Sequence, residues 1–136
     1  MSKPAAGNYY IVNRETTSDG TSLAMEYNGE DAVLTVSELG SQPTQVWVIT
    51  NDNDETQAVS PQDATSLQVG KTGDNDLTVL PAGGYVWVIR GEDDIYTVQD
   101  GGYTSFWGIK EAAVGQSVVI TTGDNSDLQN WMLIPA

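Results

Sequence analysis

Neither cysteine nor histidine occurs anywhere in this chain of 136 residues. Without cysteine there is no disulfide framework and no thiolate metal site. Without histidine there is no Ser-His or Cys-His nucleophile and no histidine-based zinc site. No cofactor is expected. Basic residues are scarce, 5 against 19 acidic ones, for a formal net charge of -14. Such a surface keeps a protein soluble and repels phosphate backbones and anionic membranes, so a nucleic-acid partner is disfavoured while a neutral partner such as a glycan is not. No apolar stretch approaches the roughly 18 residues that span a bilayer, so no membrane insertion is expected. No apolar run follows Met1-Ser2-Lys3-Pro4, and the expectation is a cytoplasmic protein without a signal peptide. Also missing is any sustained 3.6-residue periodicity in windows longer than about 12 residues.

What the chain does contain is short alternating runs of β-branched and aromatic residues. They include Tyr9-Tyr10-Ile11-Val12, residues 32–36, Val46-Trp47-Val48-Ile49, residues 77–80, residues 85–89, residues 95–98 and residues 117–120. Gly, Asn, Asp, Ser or Pro bounds each run, which reads as strands joined by turns. Residues 1–7 read as a loose arm. The length fits one all-β domain, 1–136, able to bury about two-thirds of its unfolded surface.

Trp47-Val48-Ile49 returns as Trp87-Val88-Ile89, and Trp131-Met132-Leu133 is a close variant. Two copies complete a Gln-x-Trp motif, Gln45-Val46-Trp47 and Gln129-Asn130-Trp131, while the middle copy reads Tyr85-Val86-Trp87. A second marker, Ser22-Leu23, Ser66-Leu67 and Ser105-Phe106, keeps nearly the same beat. Three copies of one supersecondary unit must share a core. With four strands each, over residues of approximately 8–50, 55–90 and 94–135, they predict twelve short strands in a closed barrel with pseudo-threefold symmetry. Trp47, Trp87 and Trp131 are expected to stack around its axis.

Catalysis has little to stand on. A carboxylate pair can hydrolyse a glycoside, but the acids cluster in turn-like sequence: residues 51–55, 73–76, 91–94 and 123–127. Asp and Asn favour turns because their side chains bond the local backbone. The Asp-x-Asn flavour hints at calcium, yet no copy carries the glycine and terminal glutamate of a helix-loop-helix calcium site. Neither an enzyme nor a metal site is expected. The aromatics say more. The chain has 4 Trp and 6 Tyr but a single Phe, and Tyr and Trp pair an apolar face with a polar handle, as recognition surfaces require. Tyr85 is singled out, because it replaces the repeat's glutamine and follows Leu80-Pro81-Ala82-Gly83-Gly84, a stretch that must turn tightly.

The Gln-x-Trp-like repeats resemble those of the ricin-B-type β-trefoil lectins. Four further blocks sharpen the likeness: Gly7-Asn8-Tyr9 with Asn13-Arg14, Gln45-Val46-Trp47, Val79-Leu80-Pro81 leading into Tyr85-Val86-Trp87, and Val98-Gln99-Asp100-Gly101. Over nearly its whole length the chain resembles fungal fruiting-body lectins of this type, closest to the nematotoxic inky-cap lectins that recognise an α1,3-fucosylated chitobiose core. The resemblance implies a β-trefoil lectin in fungal defence against nematodes or insects, binding a fucosylated N-glycan core or a related GlcNAc-containing oligosaccharide. It places the site at Lys71, Leu80, Gly84, Tyr85, Val86 and Trp87. Two positions depart from the pattern: Gly84 stands where the relatives have asparagine, and Lys71 where they have a tryptophan that packs on the sugar. A lysine beside an aromatic patch suits a carboxylate or sulfate. A single such site binds weakly, so a homodimer or several sites per chain would supply multivalency. The alternative is a β-trefoil protease inhibitor presenting residues 51–55 or 123–129, which would have no need of the Leu80–Trp87 block.

Overall fold

The computed structural model describes residues 1–40, 42–72 and 75–136. Gly73 and Asp74, two members of the acidic cluster at 73–76, lie outside the described residues. Strand accounts for 50% of the chain and helix for 5%. The twelve strands are β1 Gly7–Thr16, β2 Ser22–Glu26, β3 Thr35–Glu38, β4 Val46–Asn51, β5 Gln57–Pro61, β6 Leu67–Lys71, β7 Leu77–Pro81, β8 Trp87–Glu92, β9 Ile95–Asp100, β10 Phe106–Gly108, β11 Val119–Thr121 and β12 Trp131–Pro135.

Six strands close a barrel. β1 pairs with β4, β4 with β5, β5 with β8, β8 with β9, β9 with β12, and β12 returns to β1. Closure leaves no free edge along these strands. The other six form three hairpins, β2–β3, β6–β7 and β10–β11. These meet pairwise through the isolated bridges Val33 to Thr78, Thr35 to Ser117 and Asp76 to Val119. Barrel plus triangular cap is the β-trefoil, as expected.

The core is drawn evenly from the repeats, including Ile11, Leu23, Met25, Val36, Trp47, Ile49, Val59, Val69, Val79, Trp87, Val98, Trp107, Ile120, Trp131 and Leu133. Period-two alternation turns these residues inward. Each repeat tryptophan donates its indole N–H to a backbone carbonyl: Trp47 to Met25 at 3.1 Å, Trp87 to Val69 at 3.0 Å and Trp131 to Trp107 at 3.0 Å. These bonds define the repeat equivalences.

Three expectations change. The aromatic contacts do not run among the three repeat tryptophans; Trp47 meets Tyr27 edge-on at 6.4 Å, and Trp87 meets Trp107 edge-on at 5.0 Å. Trp107, the fourth tryptophan, holds the core position that Met25 and Val69 hold in the other repeats. Its buried indole N–H has no partner. The Ser-Leu marker slips by one in the third repeat: Leu23 and Leu67 pair with Glu38 and Pro81, but Phe106 pairs with Thr121, in step with Ala24–Ser37 and Gln68–Leu80. Finally, the run at 85–89 yields a strand only from Trp87, because Tyr85 and Val86 belong to the loop before it.

Candidate functional site

The Gln-x-Trp glutamine braces the connection from cap hairpin to barrel strand. In the first repeat Gln45 Nε2 donates to Ser37 Oγ, Glu26 Oε1 and the Glu38 carbonyl, while its Oε1 accepts the Gly40 N–H at 2.9 Å. In the third repeat Gln129 Nε2 donates to Thr121 Oγ1 and the Thr122 carbonyl, and its Oε1 accepts the Asp124 N–H at 3.0 Å. Both connections contain a 3-10 turn just before the tryptophan strand, Pro43–Gln45 and Asp127–Gln129. Both glutamines are buried.

The second repeat abandons this device. Tyr85 replaces the glutamine, and Leu80 replaces the hydroxyl residue, Ser37 or Thr121, that the glutamine bonds elsewhere. The connection is also three residues shorter. Leu80 and Tyr85 are five apart, whereas Ser37 and Gln45, or Thr121 and Gln129, are eight apart. Too short for a 3-10 turn, it passes through Gly84 in the left-handed region, φ +82°, which glycine adopts without the strain most side chains would bring. The Tyr85 ring packs on Gly70. A Cβ at position 70 would come within 3.0 Å of Leu80 Cδ1 and of Tyr85 Cδ1 and Cγ. Gly70 is thus the absence that lets Leu80 and Tyr85 come together. Both are half-buried, so an apolar and aromatic platform borders solvent, flanked by exposed Pro81, Ala82, Gly83 and Gly84.

The sequence-predicted residues fall into three groups. Leu80 and Tyr85 form the platform, and Gly84 and the half-buried Val86 shape its loop. Trp87 lies beneath, 4% exposed, as a core residue. Lys71 ends β6, exposed and opposite Leu77. Strand alternation turns it away from the face of Gly70, and among the described residues no hydrogen bond or ion pair joins it to the platform.

Gln68 has no marker in the sequence, yet it braces this loop. Its Oε1 accepts the N–H of Gly83 at 3.3 Å and of Tyr85 at 3.2 Å. It does for the short loop what Gln45 and Gln129 do for the long ones, but from β6. Only the hairpin register, which sets Gln68 opposite Leu80, reveals it.

The acidic clusters serve as turns where they are described. Asn53 Oδ1 accepts the N–H of Glu55 and Thr56, and Asp93 and Asp94 make the left-handed turn between β8 and β9. Asp19 is held below the usual carboxylate range first by the Thr17 hydroxyl, then by Thr21. At Asp100, burial raises the pKa, but hydrogen bonds from Thr104 and Ser105 outweigh it and leave the group lowered. A concavity of about 140 Å³ lies in the third repeat, lined by Thr97, Phe106, Gly123, Asn125, Gln129 and Asn130 among others.

Comparison with known proteins agrees with this architecture. A family model described as CCL2 lectin-like matches residues 7–131. No protein of curated function matches. Among solved structures, the designed threefold-symmetric protein ThreeFoil superposes with a TM-score of 0.83 at 14% identity, over 96% of this chain and 99% of its own. The ricin B-like lectin of Macrolepiota procera, solved with lactose, gives 0.80 at 16% identity over 99% and 100%. The Rhizoctonia solani agglutinin gives 0.75 at 20% identity over 100% and 99%. At these identities the structural likenesses show the fold.

Proposed function

The chain belongs to the CCL2-like family of ricin B-like β-trefoil lectins, and from that premise we propose that its carbohydrate binding is centred on the Leu80–Tyr85 platform of the second repeat. The observation that supports this is the replacement, in that repeat alone, of a buried polar brace by a half-buried apolar pair, the aliphatic Leu80 and the aromatic Tyr85. A repeat that needed only a fold would keep the glutamine. A sugar offers C–H faces that stack on an aromatic ring and hydroxyls that reach the loop backbone. The ligand is a fucosylated or other GlcNAc-containing glycan, with Gly84 and Val86 beside it, Trp87 beneath it and Lys71 past the platform at the exposed end of β6. Binding proceeds without turnover, and the role is defence against nematodes or insects from a cytoplasmic store. A single shallow site binds with micromolar to millimolar affinity, roughly -8 to -4 kcal/mol, so multivalency, through a homodimer or a second site, completes the activity.

A glycan array followed by calorimetry tests this. Tyr85→Ala is expected to lose at least about tenfold in affinity with its unfolding midpoint retained. Lys71→Trp, which puts the relatives' aromatic residue at the exposed end of β6, is expected to tighten binding to α1,3-fucosylated chitobiose if the glycan extends past the platform to that strand end. Full binding by Tyr85→Ala to every glycan the parent binds would move the site elsewhere, first to the third-repeat concavity beside Phe106 and Asn125.

A further inference from the structure

The geometry points to Gln68 as a direct, specificity-determining contact to the sugar: a primary amide locked by its oxygen so that its nitrogen faces the ligand. This rests on the platform being the binding site. Gln68 lies on the outer face of the β6–β7 hairpin, opposite Leu80 and two residues before Gly70, on which Tyr85 rests. Its Oε1 receives two backbone N–H groups, from Gly83 at 3.3 Å and Tyr85 at 3.2 Å. Both donors point at one oxygen, and Nε2, itself a donor, has no free lone pair with which to accept them. The amide therefore cannot flip without setting an N–H against an N–H. Nε2 keeps two donors, and among the described residues it has no protein acceptor.

The other two repeats show what such an amide does when no ligand is intended. Gln45 and Gln129 also accept a loop N–H through Oε1, but each spends Nε2 on protein oxygens: Glu26, Ser37 and Glu38 in one case, Thr121 and Thr122 in the other. In the second repeat the nearest counterpart of those hydroxyls is Leu80, which can accept nothing. The half-buried amide is left with its donors beside an apolar platform. The chemistry that completes it is an acceptor next to an apolar face: a hydroxyl oxygen or an N-acetyl carbonyl of a sugar stacked on Tyr85.

The test uses the full chain with α1,3-fucosylated chitobiose and chitobiose as calorimetric probes, and compares Gln68→Glu, Gln68→Ala and Tyr85→Ala with the parent. Glutamate keeps the acceptor for Gly83 and Tyr85 but has no N–H. The expected result for Gln68→Glu is a loss of about tenfold in affinity, with an unchanged unfolding midpoint and unchanged backbone amide NMR shifts at Gly83 and Tyr85. Gln68→Ala should lose affinity and also shift those two amides. If Gln68→Glu binds within about twofold of the parent while Tyr85→Ala does not bind, the inference is overturned and the platform stands. A loss in Gln68→Glu that comes with displaced Gly83 and Tyr85 amides also overturns it, since Gln68 then only holds the loop. If Tyr85→Ala and Gln68→Glu both bind as the parent does, the platform itself is wrong.

Discussion

Gly70 shows how much one missing side chain decides. Its equivalent in the first repeat is Glu26, whose carboxylate joins the Gln45 brace; in the third it is Gly108, over which the Gln129 side chain passes, with Cγ 2.9 Å from where a Cβ would stand. At position 70 the space holds the Tyr85 ring instead. Gly70→Ala should therefore push the ring off its seat. Overpacking of this kind costs about 1–3 kcal/mol, visible in chemical denaturation, and the displaced ring should lower glycan affinity several-fold in calorimetry. A fully stable Gly70→Ala protein that binds normally would mean that the ring has room to relax and that its position is not what the ligand reads.

At the scale of elements, connection length governs. The two long connections form a 3-10 turn and bury a glutamine; the short one needs Gly84 at positive φ and borrows its brace from the neighbouring strand. Other turns are tied by carboxylates, and that has a pH signature. Asp19, Asp100 and Asp124 are all held below the ordinary carboxylate pKa; for Asp124 the leading cause is the backbone N–H of Ser126. A lowered folded-state pKa contributes stability that is complete above the unfolded value, about 3.9, and is lost as pH falls through the folded value. The parent should accordingly lose stability in acid. Asp100→Asn should be less stable than the parent at pH 7, and the gap should narrow as pH falls through and below the ordinary carboxylate range, as followed by thermal unfolding. A gap that stayed constant with pH would mean that the charge of Asp100 contributes nothing and only its shape matters.

For the whole molecule, charge and closure pull in different directions. The barrel closes on itself and buries four tryptophans, while the net charge of -14 is spread over the surface. Among the described residues a single ion pair, Arg14 to Asp127 at 3.6 Å, offsets it, and both partners are about half exposed; such pairs contribute little. Self-repulsion should thus be relieved by screening, whose length falls from about 30 Å at 0.01 M salt to about 8 Å at 0.15 M. Adding salt should raise the unfolding midpoint by about 2–6 °C, equivalent to about 1 kcal/mol for a domain of this size. Affinity for a neutral glycan should not follow. If affinity instead drops as salt rises, the bound glycan is acidic, and Lys71 is the cation to suspect.

The chain itself determined the architecture, because repetition and period-two alternation are properties of order along the sequence. Three tryptophans in step, bounded by turn residues, leave few closed β arrangements. Tyr85 was legible for the same reason, as the one break in a repeated motif. The tertiary structure alone decided what surrounds that break. Gln68 and Gly70 do not stand out in sequence, and they join the Leu80–Tyr85 platform only because hairpin register sets them beside Leu80 and beneath Tyr85. Trp107 likewise matches no repeat motif, and only the fold places it in the core against Trp87. Contacts across a hairpin depend on which residue pairs with which, and a one-residue shift turns every side chain to the other face. Spacing along the chain carries the repeat, but register between strands carries the platform.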